Sequence, residues 1–148
     1  MCGIAGIIHR KGASDIGSEM TSMLQSLKHR GPDSTGFAIY GKPGKKEYVL
    51  RFKVAEQEDA LKGYEIHQTI KDRRAEVDRR LKSLGVKVTK AEAATEYAFR
   101  YQIKFDGDMK KLADYVEDVE STEILSLGSG LELIKDLGAA QRLERNER

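Results

Sequence analysis

The first residues of the chain include its only cysteine. Cys2 follows the initiator methionine and opens the run Cys-Gly-Ile-Ala-Gly. If Met1 is removed, Cys2 carries a thiol and a free α-amine on one residue. A cysteine thiol, with a reference pKa of about 8.5, is mostly protonated at neutral pH. An α-amine has a lower reference pKa of about 7.7–8.0, so a fraction of it is neutral there and can accept the thiol proton. A processed Cys2 would therefore be both nucleophile and base. The alternative is a small apolar side chain with a structural role.

The residues that follow Cys2 predict how its thiol is positioned. The short apolar run from Ile4 to Ile8 is typical of a buried strand. Gly3 and Gly6 add no side-chain bulk, so another backbone or a ligand can approach this segment closely. We therefore expect the thiol to stand at the tip of a rigid strand with free space around it.

A second segment of interest runs from Lys28 to Gly36, with the sequence Lys-His-Arg-Gly-Pro-Asp-Ser-Thr-Gly. A predicted amphipathic helix, capped by Ser14 or Asp15, precedes it. The apolar residues of that helix recur at helical spacing, at Ile16, Met20, Met23, Leu24 and Leu27. The Gly-Pro-Asp run at 31–33 predicts a turn, and Phe37–Tyr40 predicts the next strand. Taken alone, these residues also fit an ordinary helix-to-strand turn.

Together the two segments resemble the N-terminal part of class II glutamine amidotransferases, a group of N-terminal-nucleophile hydrolases. The similarity is greatest to the stand-alone amidotransferase subunits of glutamate-synthase-like and N-methylglutamate-synthase-like complexes. It is specific over residues 2–8 and 28–40 and extends to residue 53. The resemblance implies an α+β fold, namely the N-terminal portion of an αββα N-terminal-nucleophile sandwich with a small α+β insertion. It also implies that Cys2 hydrolyses the side-chain amide of glutamine and supplies ammonia to a synthase partner without a cofactor.

The resemblance further implies substrate-binding positions at Arg30 and Gly31, in a loop near the nucleophile. The Arg30 guanidinium can either hold backbone carbonyls of that loop or lower the pKa of the thiol. We expect His29 to be structural, because this mechanism leaves it no proton to transfer.

Other groups that the family uses are missing from the sequence. The family supplies its oxyanion hole with an Asn-Gly pair and binds the α-carboxylate of glutamine with an Arg-Thr segment. The sole asparagine here is Asn146, which Glu147 follows. Because one oxyanion donor is worth about 3–4 kcal/mol of barrier, we expect the 148-residue chain alone to be inactive and interpret it as an N-terminal fragment.

The order of predicted elements divides the chain into three segments. Residues 1–63 are the N-terminal part of the amidotransferase domain, 64–138 an α+β insertion, and 139–148 a truncated helical tail. In the first segment, a hairpin is predicted to join Phe37–Tyr40 to Glu47–Val54 across a basic loop. The insertion opens with a long charged helix that ends at Gly85, a suitable C′ residue.

The strongest pattern in the insertion is a strict alternation between Tyr97 and Phe105. Aromatic and aliphatic residues occupy one face, at Tyr97, Phe99, Tyr101, Ile103 and Phe105. Such a face can stack nucleic-acid bases, but the usual case is the core side of a strand packed on helices. A helical stripe follows at Met109, Leu112, Val116 and Val119. A second hairpin is predicted to join Glu123–Leu127 to Leu131–Lys135 across Gly-Ser-Gly.

Composition excludes several classes of function. No apolar run approaches the roughly 20 residues that a membrane span needs. A net charge of +2 with 34% charged residues argues against a dedicated nucleic-acid binder. The three histidines share no metal-ligand spacing, so no metal is expected. One cysteine allows no internal disulfide and no signal peptide is evident, which favours the cytoplasm.

The alternative to an amidotransferase is a non-catalytic interaction or regulatory module built on the insertion.

Overall fold

A computed structural model describes residues 2–10, 12, 15–30, 34–42, 44–56, 59 and 63–137. The described chain is mixed α+β, as predicted, with three α-helices and two antiparallel sheets. The helices are α1 (Ile16–Ser26), α2 (Tyr64–Ser83) and α3 (Met109–Glu117), and a short 3-10 helix, η1 (Lys28–Arg30), follows α1. The strands are β1 (Ser34–Tyr40), β2 (Glu47–Lys53), β3 (Lys87–Ala93), β4 (Ala98–Lys104), β5 (Glu123–Gly128) and β6 (Leu131–Leu137). The αββα sandwich implied by the resemblance stays a prediction.

The chain divides into two compact units. One contains residues 1–37 and 134–148, and the other contains residues 38–133. Strands β1 and β6 form a two-stranded sheet, and the other four form a sheet in the order β3-β4-β2-β5. β2 is thus a central strand among elements that the sequence assigns to the insertion. The division into an amidotransferase part, an insertion and a tail stays a prediction.

The core of the second unit lies on one face of the four-stranded sheet. In the antiparallel register of β2 and β4, Leu50 lies opposite Tyr101 and Phe52 opposite Phe99. Since directly opposed residues point to the same face, these four side chains form one apolar layer. They pack with buried residues of α2 and α3 in a single cluster that includes Ile70, Val77, Leu81, Leu112 and Val116. The prediction that the alternating face of β4 is a core face is confirmed.

The two helices over this sheet begin and end where the sequence indicates. Asp108 caps α3, and its carboxylate accepts hydrogen bonds from the amides of Lys110 (2.9 Å) and Lys111 (3.2 Å). α2 ends at Ser83, and Gly85 beyond it has a φ of +75°. A glycine adopts this left-handed conformation without steric penalty. Both helix predictions are confirmed.

The sheet also contains an edge strand that the sequence pattern does not predict. β3 is almost wholly exposed, and its small and charged residues show no apolar alternation. Its register against β4 shifts between Val88 and Lys90, which leaves Thr89 as a bulge. Val88 pairs with Ile103 and Ala91 with Tyr101, so both lie on the helix-facing side although three positions separate them. Without the bulge, the two-residue period of a strand would place them on opposite faces.

Both predicted hairpins are wrong. β1 pairs with β6, whereas β2 pairs with β4 and β5, so the basic loop connects strands of different sheets. Likewise β5 pairs with β2 and not with β6. The physical reason is that β2 is an inner strand whose two edges pair with β4 and β5, so no edge remains for β1. Leu50, Arg51 and Phe52 are all buried at its centre. The Gly-Ser-Gly turn therefore carries the chain from one sheet to the other.

The predicted buried strand at residues 4–8 is also wrong. Residues 2–9 form no regular secondary structure, and Ile4 and Ile8 are 93% and 91% exposed. No strand ladder in the described part of the chain supplies hydrogen bonds to this segment. The predicted turn at 31–33, the cap at Ser14 and the tail at 139–148 lie outside the described residues.

No described helix is both long enough and apolar enough to cross a bilayer.

Candidate active site

The candidate site lies in the first unit, where residues 2–9 run beside α1. Exposure along this segment alternates with a period of two, as in an extended chain with one side covered. The partly covered residues are Gly3, Ala5 and Ile7, and the exposed ones are Cys2, Ile4, Gly6 and Ile8. The thiol of Cys2 is therefore on the open side and accessible to a substrate.

The helix that supports this segment forms as its sequence predicts. The Asp15 carboxylate caps α1 and accepts a hydrogen bond from the Ser18 amide (3.1 Å). Such a cap stabilises a helix by about 1 kcal/mol. After Ser26 the chain tightens into η1, where the Arg30 amide donates to the Leu27 carbonyl (2.8 Å). The basic residues at 28–30 follow the C-terminus of α1, where the helix dipole favours positive charge.

Gly3 is the point at which the N-terminal segment meets this helix end. A Cβ atom built on Gly3 would lie 3.1 Å from the Cβ of Leu27 and 3.3 Å from the Cβ of Arg30. Both distances are shorter than ordinary van der Waals contact, so a larger residue would have to displace its neighbours. The backbone next to Cys2 thus approaches η1 at Arg30 because residue 3 has no side chain.

A second contact fixes the far end of the segment. Nε2 of His9 lies 2.8 Å from a carboxylate oxygen of Glu19 on α1. With Gly3 beside Leu27 and His9 beside Glu19, the segment runs antiparallel to the helix. The sequence pattern does not predict this pair. A basic residue and an acidic one ten positions apart are too common a combination to indicate a contact.

The predicted site residues lie on two neighbouring segments of the first unit. Cys2 and Arg30 are both exposed, on segments joined through the close approach at Gly3. Arg30 makes contacts in addition to its backbone hydrogen bond. His29 is exposed in η1, and Gly31 lies outside the described residues. The roles of these residues in substrate binding or catalysis stay predictions.

Comparison with known proteins finds a relative that is similar over most of the chain. The chain is 31% identical over 144 residues to a protein of Methanothermobacter thermautotrophicus that is named "Putative glutamine amidotransferase". By name, the relative is a glutamine amidotransferase. The alignment includes 94% of this chain but 44% of the relative, so the chain spans less than half of its length. No protein-family model matches the chain.

Proposed function

We propose that this chain is part of a glutamine amidotransferase of class II, in which Cys2 is the N-terminal nucleophile. The observation that carries the proposal is the 31% identity, over 94% of the chain, to a protein with an amidotransferase name. The similarity extends across almost the whole chain. The exposure of the Cys2 thiol is consistent with attack on a small soluble substrate.

In the proposed reaction, the α-amine of a processed Cys2 takes the thiol proton. The thiolate attacks the side-chain carbonyl carbon of glutamine, and the tetrahedral adduct collapses to a glutamyl thioester as ammonia leaves with the transferred proton. Water then hydrolyses the thioester, which releases glutamate and regenerates the thiol. Glutamine is the substrate, and a glutamate-synthase-like subunit or domain receives the ammonia. The predicted cytoplasmic location belongs to the same proposal.

The contacts around Cys2 suggest how the reaction would be organised. Gly3 at Leu27 and His9 at Glu19 hold the segment along α1 at two points. Restricting the nucleophile in this way reduces the entropy cost of reaching an attack geometry. The contact at Gly3 also brings a cationic residue close to the segment that carries Cys2. The Cβ of Arg30 is 3.3 Å from a Cβ built on Gly3. We propose that it orders the loop or interacts with the thiolate or the bound glutamine.

The first test concerns the N-terminus itself. We expect mass spectrometry of the native protein to show a chain that begins at Cys2. We further expect its thiol to be alkylated several-fold faster between about pH 6 and 9 than in a variant with one extra N-terminal residue, because only the former has a nearby free amine as base. A Cys2→Ser variant controls for alkylation at other groups. Retention of Met1, or equal rates for the two forms, would contradict the proposed use of the α-amine.

A second test concerns activity. We expect no measurable release of ammonia from glutamine by the 148-residue chain alone, because an oxyanion hole and a carboxylate-binding segment cannot be identified in it. Positioned donors of this kind account for much of the barrier lowering in acyl transfer. The measurement is coupled detection of ammonia, with Cys2→Ala as the control. Activity in the chain that disappears in Cys2→Ala would show that its own residues, Arg30 first among them, supply the missing groups.

A further inference from the structure

An open cleft of about 350 Å³, called the cavity below, lies in the second unit between α2 and the edge strand β3. It lies in the lower part of the usual size range of ligand pockets, about 300–1,000 Å³. α2 covers the centre of the sheet, where Val77 and Leu81 are buried, but leaves the helix-facing side of β3 open. The apolar side of the cavity consists of Val86, Val88 and Ala91. The bulge at Thr89 is what places Val88 and Ala91 on this side together.

The helix side of the cavity carries three charges in a row. Arg74, Asp78 and Lys82 are spaced four residues apart on α2 and all line the cavity. Residues at i and i+4 are neighbours on a helix surface, so the row alternates positive, negative and positive. Nothing in the proposed amidotransferase chemistry uses these residues, because they belong to the other unit.

A buried tyrosine holds the first two charges in position. The Tyr101 hydroxyl accepts a hydrogen bond from Nε of Arg74 (2.9 Å) and donates one to a carboxylate oxygen of Asp78 (2.8 Å). Burial raises the pKa of Tyr101 to about 12, so the hydroxyl keeps its proton at neutral pH. The Arg74 guanidinium also stacks over the Phe99 ring, 4.5 Å from its centroid. The Arg74 and Asp78 side chains are thus oriented before any ligand binds.

Three polar groups of this row remain available to a ligand. In the part of the chain that the structure describes, the two terminal nitrogens of Arg74 and the Lys82 ammonium have no hydrogen-bond acceptor. The second carboxylate oxygen of Asp78 likewise has no donor there. The cavity therefore presents a donor pair and an acceptor, both anchored to one hydroxyl, beside an apolar wall.

We propose that this cavity binds a free α-amino acid with an apolar side chain. The ligand carboxylate would bind the terminal nitrogens of Arg74, with Lys82 adding positive charge. The ligand ammonium would donate to Asp78, and the side chain would pack on Val86, Val88 and Ala91. Both charged ends contribute to binding, because each of them pairs with one of the two oriented groups. Hydrogen bonds between charged groups are about twice as strong as neutral ones.

The test uses the full 148-residue chain labelled with ¹⁵N and titrated with L-leucine, followed by NMR. We expect saturable shifts of the Val88 and Ala91 amides at millimolar ligand. 4-Methylpentanoate, which lacks the amine, and isoamylamine, which lacks the carboxylate, should each bind about tenfold more weakly or worse, since each loses one charged hydrogen bond. No saturable shift with leucine, or equal binding of either analogue, would overturn the proposal.

Variants distinguish this cavity from other sites. Arg74→Gln and Asp78→Asn should each weaken leucine binding about tenfold or more, but they also disturb a hydrogen bond to a buried hydroxyl. Ala91→Leu leaves those hydrogen bonds in place and fills the apolar wall, and it should abolish saturable binding. Lys71→Gln, an exposed change on α2 outside the cavity, is the matched control and should leave binding unchanged. Unaltered binding in Ala91→Leu, or equal loss in Lys71→Gln, would refute the assignment without affecting the proposed role of Cys2.

Discussion

Replacing Phe99 with alanine is expected to lower the free energy of unfolding by about 3–5 kcal/mol. Phe99 is 4% exposed, and its ring lies 5.5 Å from that of Phe52, which is itself fully buried. The substitution removes the apolar ring and leaves a cavity that the surrounding strands cannot fill by moving. It also removes the surface on which the Arg74 guanidinium stacks. Urea denaturation followed by circular dichroism measures the change.

Two variants serve as controls for this prediction. Phe99→Leu retains most of the volume and should cost about 1 kcal/mol. Gln102→Ala lies on the opposite face of β4, where the side chain is partly exposed, and should change stability by less than about 0.5 kcal/mol. Arg100 is on the same face as Gln102 but is unsuitable as a control, because it bonds to Glu132 and Glu92. A loss for Gln102→Ala as large as that for Phe99→Ala would mean that the core lies on the other face of the strand.

The faces of the strands could be predicted from the sequence, but their partners could not. The two-residue period from Tyr97 to Phe105 identifies a core side because that period is a property of the strand itself. The two-residue period does not indicate which strand pairs with this one. β1 and β2 are separated by a short loop, the usual signal for a hairpin, yet β1 pairs with β6, more than 90 residues further along the chain. Such pairing depends on how the rest of the chain packs.

The candidate active site around Cys2 could likewise be predicted only in part. The spacing of apolar residues predicts α1, which the structure contains, whereas the chemistry proposed for Cys2 from its type and position stays a prediction. The apolar run after Cys2 suggested a buried strand, since periodicity cannot distinguish a buried segment from one that lies along a helix with one side uncovered. The two anchors at Gly3 and His9 depend on contacts between residues 10 to 27 positions apart, and pattern analysis of a single sequence contains no information about them.

The burial of Arg51 is a third feature that the sequence did not indicate. A single arginine between Leu50 and Phe52 in a strand suggests an exposed position on the outer face. Its side chain is instead 5% exposed. In the ladder it lies directly opposite Arg100, and like charges in that position repel each other. Glu132, at the start of β6, contacts both guanidinium groups. The carboxylate that compensates the charge of the buried Arg51 therefore belongs to a residue about 80 positions further along the chain.

We accordingly expect Glu132→Ala to destabilise the protein by about 3 kcal/mol, measured by urea denaturation at neutral pH. One Glu132 oxygen accepts from Nε of Arg51 and from Nε of Arg100 (2.7 Å), and the other accepts from a terminal nitrogen of Arg100 (3.1 Å). Without this carboxylate, Arg51 and Arg100 still lie opposite each other on the sheet, but the negative charge that both contact is gone. The matched control is Glu47→Ala, whose ion pair with Lys104 is more than half exposed on both sides. It should cost less than about 1 kcal/mol.

The same carboxylate should make stability sensitive to acid. Burial raises the pKa of Glu132, but the hydrogen bonds from Arg100 and Arg51 lower it by more, so its pKa in the folded protein lies below the ordinary value of 4.5. Between these two pKa values the unfolded chain binds more protons than the folded protein, so stability falls as the pH falls. The contribution of Glu132 is therefore complete above pH 4.5 and lost as the pH drops through the folded-state pKa. Other carboxylates also titrate in this pH range. The quantity to measure is therefore the difference in the free energy of unfolding between wild-type and Glu132→Gln protein, and this difference should shrink as the pH falls. A difference independent of pH would show that Glu132 acts through packing and not through its charge.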